Sequence, residues 1–320
     1  MPCTAASPPC KKIPSKGFFN LLRAVESFGE NALAILTTMC YHNSGLFPSV
    51  REGDAMSSLQ DISAFIIDMD GVLYRGSTMV PGAAEFIAFL REQGKKFLLL
   101  TNNSSRTPVQ YVEKLARMGI EIDEGRIFTS AQATALYLRQ KAKPGTRVYV
   151  IGMDGIREAL TAEGFVLSED SKVDFVVVGM DTTVTYEKLK KAALAIRAGA
   201  KFIGTNPDKT LPTEEGLVPG NGAILAAIQT ATDVEPLIIG KPQKPIFEIA
   251  LARLQSRPEE TAVIGDRLET DILGGLQAGL KTILVLSGAT DKDLLESSEV
   301  QPDWVFESVK ELLERMRGEA

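Results

Sequence analysis

Ala64-Phe65-Ile66-Ile67-Asp68-Met69-Asp70-Gly71-Val72-Leu73-Tyr74 contains the pattern from which the rest of the chain can be read. A short unbroken apolar run bounded by a turn signal reads as a strand buried on both faces, as in the middle of a parallel sheet. This run ends in two acids. Ligands of open α/β sheets sit outside the carboxyl ends of strands, which delivers Asp68 and Asp70 to the mouth of the sheet. Gly71 turns the chain there, so the two carboxylates can converge on one small space, and two anions in one place call for a cation. A calcium-binding helix-loop-helix also contains Asp-x-Asp followed by Gly, but it needs a preceding helix and a closing Glu, where this chain has a strand and Met79. A pair of solvated loop acids is the other reading, and one motif alone does not separate the two.

The chain on either side repeats the pattern. The sequence predicts a helix opened by Pro81-Gly82-Ala83 and ending near Gly94, then a buried strand over 97–100 that runs into Thr101-Asn102-Asn103-Ser104-Ser105. A helix around 108–118, a strand over 127–129 and a helix over 131–140 follow, which is the βαβ alternation of a doubly wound sheet. Thr, Asn and Ser at a strand's carboxyl end place donors where an anion would bind, and the same residues suit a helix cap equally well. Lys143-Pro144-Gly145 marks a boundary. Beyond it lies a second α/β set, with strands over 147–151, 175–178 and 201–204 and helices around 156–163 and 186–198. Residues 205–220 read as a loop, and Gly220-Asn221-Gly222 as the start of a helix over 223–231; a dinucleotide fingerprint would need fuller spacing and a distal acid. Leu237-Ile238-Ile239-Gly240-Lys241-Pro242 reads as a return to the first sheet, a buried strand ending in one cation. After a helix over 246–254, Ala262-Val263-Ile264-Gly265-Asp266-Arg267-Leu268-Glu269-Thr270-Asp271 is a strand ending in acids, of which Asp271 also suits a helix cap. A strand over 282–286 and a charged helix over 308–317 close the chain. Four strand ends thus bring Asp68/Asp70, Thr101/Asn102, Lys241 and Asp266/Asp271 to one side of one sheet.

Composition narrows the chemistry. With 320 residues, 44% apolar and 24% charged, the chain can bury one large core or two smaller ones. A net charge of -6 argues against a nucleic-acid or anionic-membrane partner, and no run is apolar enough to span a bilayer. Cys3, Cys10, Cys40 and His42, the only cysteines and histidine, all precede residue 50. The remainder therefore has no thiolate nucleophile, Ser-His-Asp triad, His-ligated zinc or disulfide available to it, which leaves carboxylates, Lys, Ser, Thr and a hard oxygen-bound metal such as magnesium.

Residues 1–55 differ in character. A start rich in Pro, Ser and Lys precedes an amphipathic pattern over 18–38, which Arg23, Glu26 and Glu30 interrupt. It is neither a membrane span nor a signal peptide. The four Cys and His positions could hold a zinc, although their spacings match no common finger. The expectation is that this extension is disordered or a mis-assigned start, with Met56 the natural first residue; an organellar targeting peptide is the alternative, with the acids at 26 and 30 against it.

The order Asp68-Met69-Asp70-Gly71, Thr101-Asn102, Lys241, then Gly265-Asp266 with Asp271 resembles the four signature motifs of the haloacid dehalogenase (HAD) superfamily. The extended forms, Thr101-Asn102-Asn103-Ser104-Ser105, Gly240-Lys241-Pro242 and Gly265 to Asp271, look like its subfamily IIA of NagD, 4-nitrophenylphosphatase and phosphoglycolate phosphatase enzymes. The resemblance covers 57–288 and does not reach 1–55. It implies an α/β fold: a doubly wound parallel-sheet HAD core over 56–142 and 236–320, with an inserted α/β C2-type cap over 143–235. Spacing agrees, since 71–100 has room for little more than one helix, whereas the whole second α/β set lies between Asn102 and Lys241.

By the same resemblance Asp68 would be the nucleophile that forms an aspartyl-phosphate, and Asp70 the general acid and base. Mg2+ would be held by the carboxylates of Asp68 and Asp266 and the backbone carbonyl of Asp70. Thr101, Asn102 and Lys241 would bind the phosphoryl oxygens, and Asp271 would orient Lys241 or the metal shell. A cap loop around Asn206, Asp208 and Leu211 would reach over the site and help choose the substrate; some relatives carry a His near Leu211. The implied activity is magnesium-dependent hydrolysis, in the cytoplasm, of small phosphorylated metabolites: phosphoglycolate, glycerol phosphate, sugar phosphates, nucleoside monophosphates or 4-nitrophenyl phosphate. Relatives often dimerise through the cap, which makes a homodimer the implied protein partner. Dehalogenases need no acid at position 70, and the ATPase members carry Lys-Thr where this chain has Met69-Asp70. Two alternatives are a phosphate-ester sensor that has lost turnover, against which stand the intact acids, and a mutase, which generally carries a cap between the first two motifs.

Overall fold

The computed structural model describes residues 59–213 and 215–318. The expectations for the N-terminal extension, including the zinc ligands Cys3, Cys10, Cys40 and His42 and a start at Met56, lie outside the described residues. The chain opens with β1 (Ala64–Ile67), the small hairpin β2 (Tyr74–Arg75) and β3 (Thr78–Met79), α1 (Ala83–Glu92), β4 (Lys96–Thr101), α2 (Pro108–Arg117), β5 (Ile127–Thr129) and α3 (Ser130–Arg139). Next come β6 (Arg147–Ile151), α4 (Asp154–Ala162), β7 (Val166–Leu167), β8 (Phe175–Val178), α5 (Tyr186–Arg197), β9 (Lys201–Gly204), β10 (Thr210–Thr213), β11 (Gly216–Pro219), α6 (Asn221–Thr232) and β12 (Leu237–Ile238). The last part holds α7 (Lys244–Leu254), β13 (Thr261–Gly265), α8 (Leu273–Gln277), β14 (Lys281–Val285), α9 (Lys292–Ser297), β15 (Trp304–Phe306) and α10 (Val309–Arg317).

Six parallel strands form the first sheet in the order β15-β14-β13-β1-β4-β5. β1 is central because all four of its residues can be buried: Phe65 and Ile67 face a cluster with Phe86 and Leu312, while Ile66 faces the opposite cluster with Leu98 and Phe247. The chain leaves β1 toward β4 and β5 and later returns on its other side as β13, β14 and β15. The reversal makes the carboxyl end of β1 a topological switch point, where open α/β sheets form their ligand crevice.

Five strands form a second sheet, ordered β12-β9-β8-β6-β7 and parallel throughout, and β10 and β11 pair antiparallel as a separate hairpin. One face of the second sheet is not independent of the first: Val148, Val150 and Ile203 belong to the same apolar cluster as Ile66, Phe128 and Phe247. Two expectations are corrected here. Residues 205–220 are not all loop, because Thr210–Thr213 and Gly216–Pro219 make a self-paired, largely exposed ladder that needs no apolar run. Leu237–Ile238 do not return to the first sheet but pair with β9, as the edge of the second. Leu237 is 46% exposed, so Leu237–Ile238 could not sit in a sheet interior, and of the three apolar side chains only that of Ile239 is buried. Among the described residues no helix is long and apolar enough to cross a membrane.

Candidate active site

β1 delivers Asp68 to the switch point, and the Asp68 N–H donates to the Ile264 carbonyl at 2.8 Å, extending the β1–β13 register by one residue. The chain then turns tightly. Gly71 has φ +86°, a conformation that L side chains disfavour, and its N–H reaches the Tyr74 carbonyl at 2.7 Å. A Cβ at Gly71 would collide with the Asp266 carboxylate, so the glycine serves both the turn and the approach of β13. β13 ends at Gly265 for a similar reason: a Cβ there would occupy the place of Asp271, which a stretch of π-helix, Leu268–Ile272, folds back against the strand end.

The geometric centre is one buried ammonium. Lys241 Nζ lies 2.6 Å from Asp68 Oδ1 and 2.6 Å from Asp271 Oδ1, and it also donates to the Leu100 carbonyl at 3.3 Å. Burial works against the Lys241 charge, but Asp271 and Asp68 outweigh it and hold the amine protonated well above the ordinary lysine range. Burial pushes the Asp68 carboxyl well up; Lys241 pulls it back, while Asp271 and Asp266 add to the rise.

Asp68, Asp266 and Asp271 each bring a carboxylate oxygen within 4.8 Å of the others, all on buried residues. Three carboxylates beside one ammonium leave two uncompensated negative charges when all are ionised. The strain is visible at Asp266, pushed up to about 7 by burial first and by Asp271 second. An all-oxygen, buried and anionic donor set fits a hard divalent cation. Asp266 is fixed by the loop after β14: the Ala289 N–H donates to Asp266 Oδ2 at 2.7 Å, and the Thr290 N–H to its carbonyl at 3.1 Å. Gly288 is required there, since a Cβ would fill the carboxylate's position, and Ser287 Oγ ties the loop back to the Gly71 carbonyl at 2.7 Å.

The structure does not bring Asp70 into this cluster. Its side chain is exposed at the rim, although the surrounding protein still raises its carboxyl; Lys114, the Gly76 N–H and Arg267 pull the other way. Lys114 Nζ lies 3.7 Å above the Tyr74 ring, and burial lowers the amine to about 8, with Asp70 opposing and Arg106 adding to the shift. Thr101 closes β4, buried, with its hydroxyl accepting the Asn103 N–H at 3.2 Å. The Asn102 side chain is fully committed to the protein. Its Oδ1 accepts the Lys241 N–H at 2.8 Å, and its Nδ2 donates to the Lys241 carbonyl at 3.0 Å and to Asp208 Oδ1 at 3.1 Å.

Of the expected cap-loop residues, Asn206 is 2% exposed and braces the site from behind, donating to the Asn102 carbonyl at 2.7 Å. Asp208 reaches the site through Asn102, and Leu211 sits half-buried on β10. Sequence reasoning passed over Ser130, whose hydroxyl donates to the Asn102 carbonyl, and the Ser287-Gly288-Ala289-Thr290 loop that holds Asp266. The second had a signal: it lies just beyond a buried strand, with only Leu286 between β14 and Ser287.

Residues 65–166 match a family model described as haloacid dehalogenase-like hydrolase, and residues 238–312 match one described as HAD-hydrolase-like. An acid sugar phosphatase of Staphylococcus saprophyticus is 42% identical over 258 residues, 81% of this chain and 99% of that protein. Among solved structures, a 4-nitrophenylphosphatase of Thermotoga maritima is 39% identical with a TM-score of 0.77, covering 80% of this chain and 98% of its own. A glycerol phosphate phosphatase of Mycobacterium tuberculosis, solved in complex with calcium, is 35% identical with a TM-score of 0.75, covering 79% of this chain and 75% of its own.

Proposed function

The chain belongs to the haloacid dehalogenase-like hydrolases, and from that premise we propose that it is a magnesium-dependent phosphatase that hydrolyses small phosphomonoesters through an aspartyl-phosphate on Asp68. The observation that carries this reading is the buried Lys241 ammonium, held at 2.6 Å from both Asp68 and Asp271 beside the Asp266 carboxylate. A carboxylate suited to attack, a fixed cation suited to phosphoryl oxygens and an acid suited to a metal, gathered in one crevice, support that reading.

In the first half-reaction an Asp68 oxygen attacks phosphorus, the bond to the leaving oxygen breaks, and Asp70 gives that oxygen its proton. In the second, Asp70 takes a proton from water as the water attacks the phosphorus, which frees inorganic phosphate and returns Asp68 to its carboxylate. The rim position of Asp70, apart from the buried acids, suits a group that must reach the leaving alcohol and then water. Lys241 and the Thr101 hydroxyl would meet the phosphoryl oxygens as charge redistributes. Because the Asn102 amide is already spent, this residue would contribute its main-chain N–H. Asp271 would hold the Lys241 ammonium in place. The carboxylates of Asp68 and Asp266 and the carbonyl of Asp70 would hold the metal, whose charge, when bound, keeps Asp68 ionised and offsets that of the phosphoryl group.

The substrate class follows the relatives, one acting on sugar phosphates, one on nitrophenyl phosphate and one on glycerol phosphate. The test is phosphate release by the full chain from a panel of these esters and phosphoglycolate, with magnesium or with EDTA, beside an Asp68→Asn variant. Release that requires both magnesium and Asp68 is expected. Ester binding without any release from the folded, metal-loaded protein would replace the enzyme with a sensor.

A further inference from the structure

The Asn102 amide joins three segments: its own, the one that carries Lys241, and the loop that carries Asp208. Its bonds to the N–H and carbonyl of Lys241 clamp the main chain of the residue that carries the ammonium. Its remaining hydrogen goes to Asp208, in the loop between β9 and β10. Asp208 is itself fixed. Its N–H donates to Asn206 Oδ1 at 3.1 Å, and its carbonyl accepts the Gly222 N–H at 2.8 Å. Gly220 and Gly222 permit that seat, because a Cβ on either would collide with the carbonyls of Asp208 or Pro207. The Gly-Asn-Gly start of α6 is therefore a bed for this loop. Burial raises the Asp208 carboxyl, and the bond from Asn102 is the first influence to oppose it.

We propose that Asp208 is a positioning residue for the phosphoryl site, acting through the Asn102 amide on Lys241, and that it does not select the leaving group. The proposal rests on the phosphatase reading above. Without the Asp208 oxygen, the second Nδ2 hydrogen of Asn102 becomes a buried unsatisfied donor, and the amide can recover a partner only by turning away from Lys241. Displacement of a positioning group by about 1 Å can cost roughly a hundredfold in rate. The phosphoryl group is common to every ester, so the loss is the same for all of them. A residue that touched the leaving group would instead change the order of preference.

The experiment compares Asp208→Ala and Asp208→Asn with the full wild-type chain, after circular dichroism and thermal unfolding confirm that each is folded. The readouts are kcat/KM on nitrophenyl phosphate, glycerol phosphate and a sugar phosphate, and calorimetric binding of inorganic phosphate in magnesium. Asp208→Ala should lower all three kcat/KM values by one common factor of about ten or more, and weaken phosphate binding in proportion. Asp208→Asn keeps an acceptor oxygen and should recover most of both. If the alanine variant does not fold, Asp208→Glu, which moves the acceptor by one methylene, should show the same uniform loss. A changed order of preference with phosphate binding retained overturns the proposal, and so does an asparagine variant as impaired as the alanine one. If the wild type binds phosphate but hydrolyses nothing, the phosphatase reading fails, while the phosphate affinities of the variants still decide the role of Asp208.

Discussion

Replacing Lys241 with methionine removes one ammonium while nearly keeping side-chain length, so packing changes little and electrostatics decides the outcome. The ammonium is shared by two carboxylates at 2.6 Å, and the side chains of Lys241, Asp68 and Asp271 are 3%, 12% and 1% exposed. Removing one partner of a buried ion pair costs about 3–5 kcal/mol, because the other charge stays buried without compensation. Asp271 keeps the Thr270 hydroxyl at 3.1 Å, which softens its loss. At roughly 2–4 °C per kcal/mol for a domain of this size, the unfolding midpoint should fall by about 6–20 °C. The assay is thermal unfolding at neutral pH in EDTA, then with magnesium, which should narrow the gap by supplying charge to the same acids. The pH dependence has a definite sign. In the variant the raised Asp68 carboxyl loses the group that opposed its rise, so its folded pKa stands further above the unfolded one. Such a group adds its full stability below an unfolded pKa of about 4 and loses it as pH climbs through the folded value, so the penalty should shrink in acid. A variant within about 2 °C of wild type at neutral pH in EDTA would refute the claim that this ammonium is what makes the buried acids tolerable.

Asp70→Asn removes the proton donor and should lower hydrolysis of an alkyl phosphate by about 10²–10⁴-fold, with a smaller loss on nitrophenyl phosphate, whose leaving group needs less protonation; equal losses on the two in steady-state kinetics would count against that role. Gly71→Ala forces a side chain onto a backbone at φ +86°, at about 1–2 kcal/mol, and drives its Cβ toward the Asp266 carboxylate. Its magnesium affinity by calorimetry should fall, and an unchanged affinity would contradict the assignment of Asp266 as a ligand. With Asp266 raised to about 7, magnesium affinity should climb with pH as that carboxyl ionises. The same group stabilises the metal-free fold below its unfolded pKa and ceases to do so as pH rises through about 7, so without metal it favours mildly acidic over alkaline conditions. Calorimetric titration and melting curves across that range check both, and flat profiles would show that Asp266 titrates elsewhere.

Four of the buried strands could be read to the residue, while those expected over 97–100 and 282–286 are displaced by a residue at each end. For Ile127–Thr129, Arg147–Ile151, Phe175–Val178 and Lys201–Gly204 the expected and observed bounds coincide, because each apolar run is closed by a turn residue, a charge or a helix cap. What escaped notice is what such a run does not mark. Val166–Leu167 and Trp304–Phe306 are edge strands with half of their surface outside the core, and the Thr210–Pro219 hairpin buries almost nothing. Pairing there is decided by where a neighbouring backbone already lies, and composition carries no record of that.

The site divides along a similar line. That acids and a lysine gather at strand ends follows from the sequence, because the carboxyl end of a parallel strand is a fixed place in the fold. Which atom of a residue is used does not follow. Asp271 joins the acid cluster while the Asp70 side chain stays outside it, and the Asn102 amide serves the protein. The sheet that delivers Lys241 was equally hidden. Ile239 donates to the Gly204 carbonyl at 3.1 Å and Gly240 to the Thr205 carbonyl at 2.9 Å, so the segment entering Lys241 is registered on β9, the strand whose outgoing loop carries Asn206 and Asp208. The second sheet therefore sets the position of the Lys241 ammonium twice, through the β9–β12 register and through the Asp208–Asn102 bond. Displacing β9 would move Lys241 relative to Asp68, which β1 anchors in the other sheet. The loop after β9 and the Lys241 main chain are parts of one hydrogen-bonded unit, so on the phosphatase reading proposed above substitutions in β9 should act on turnover.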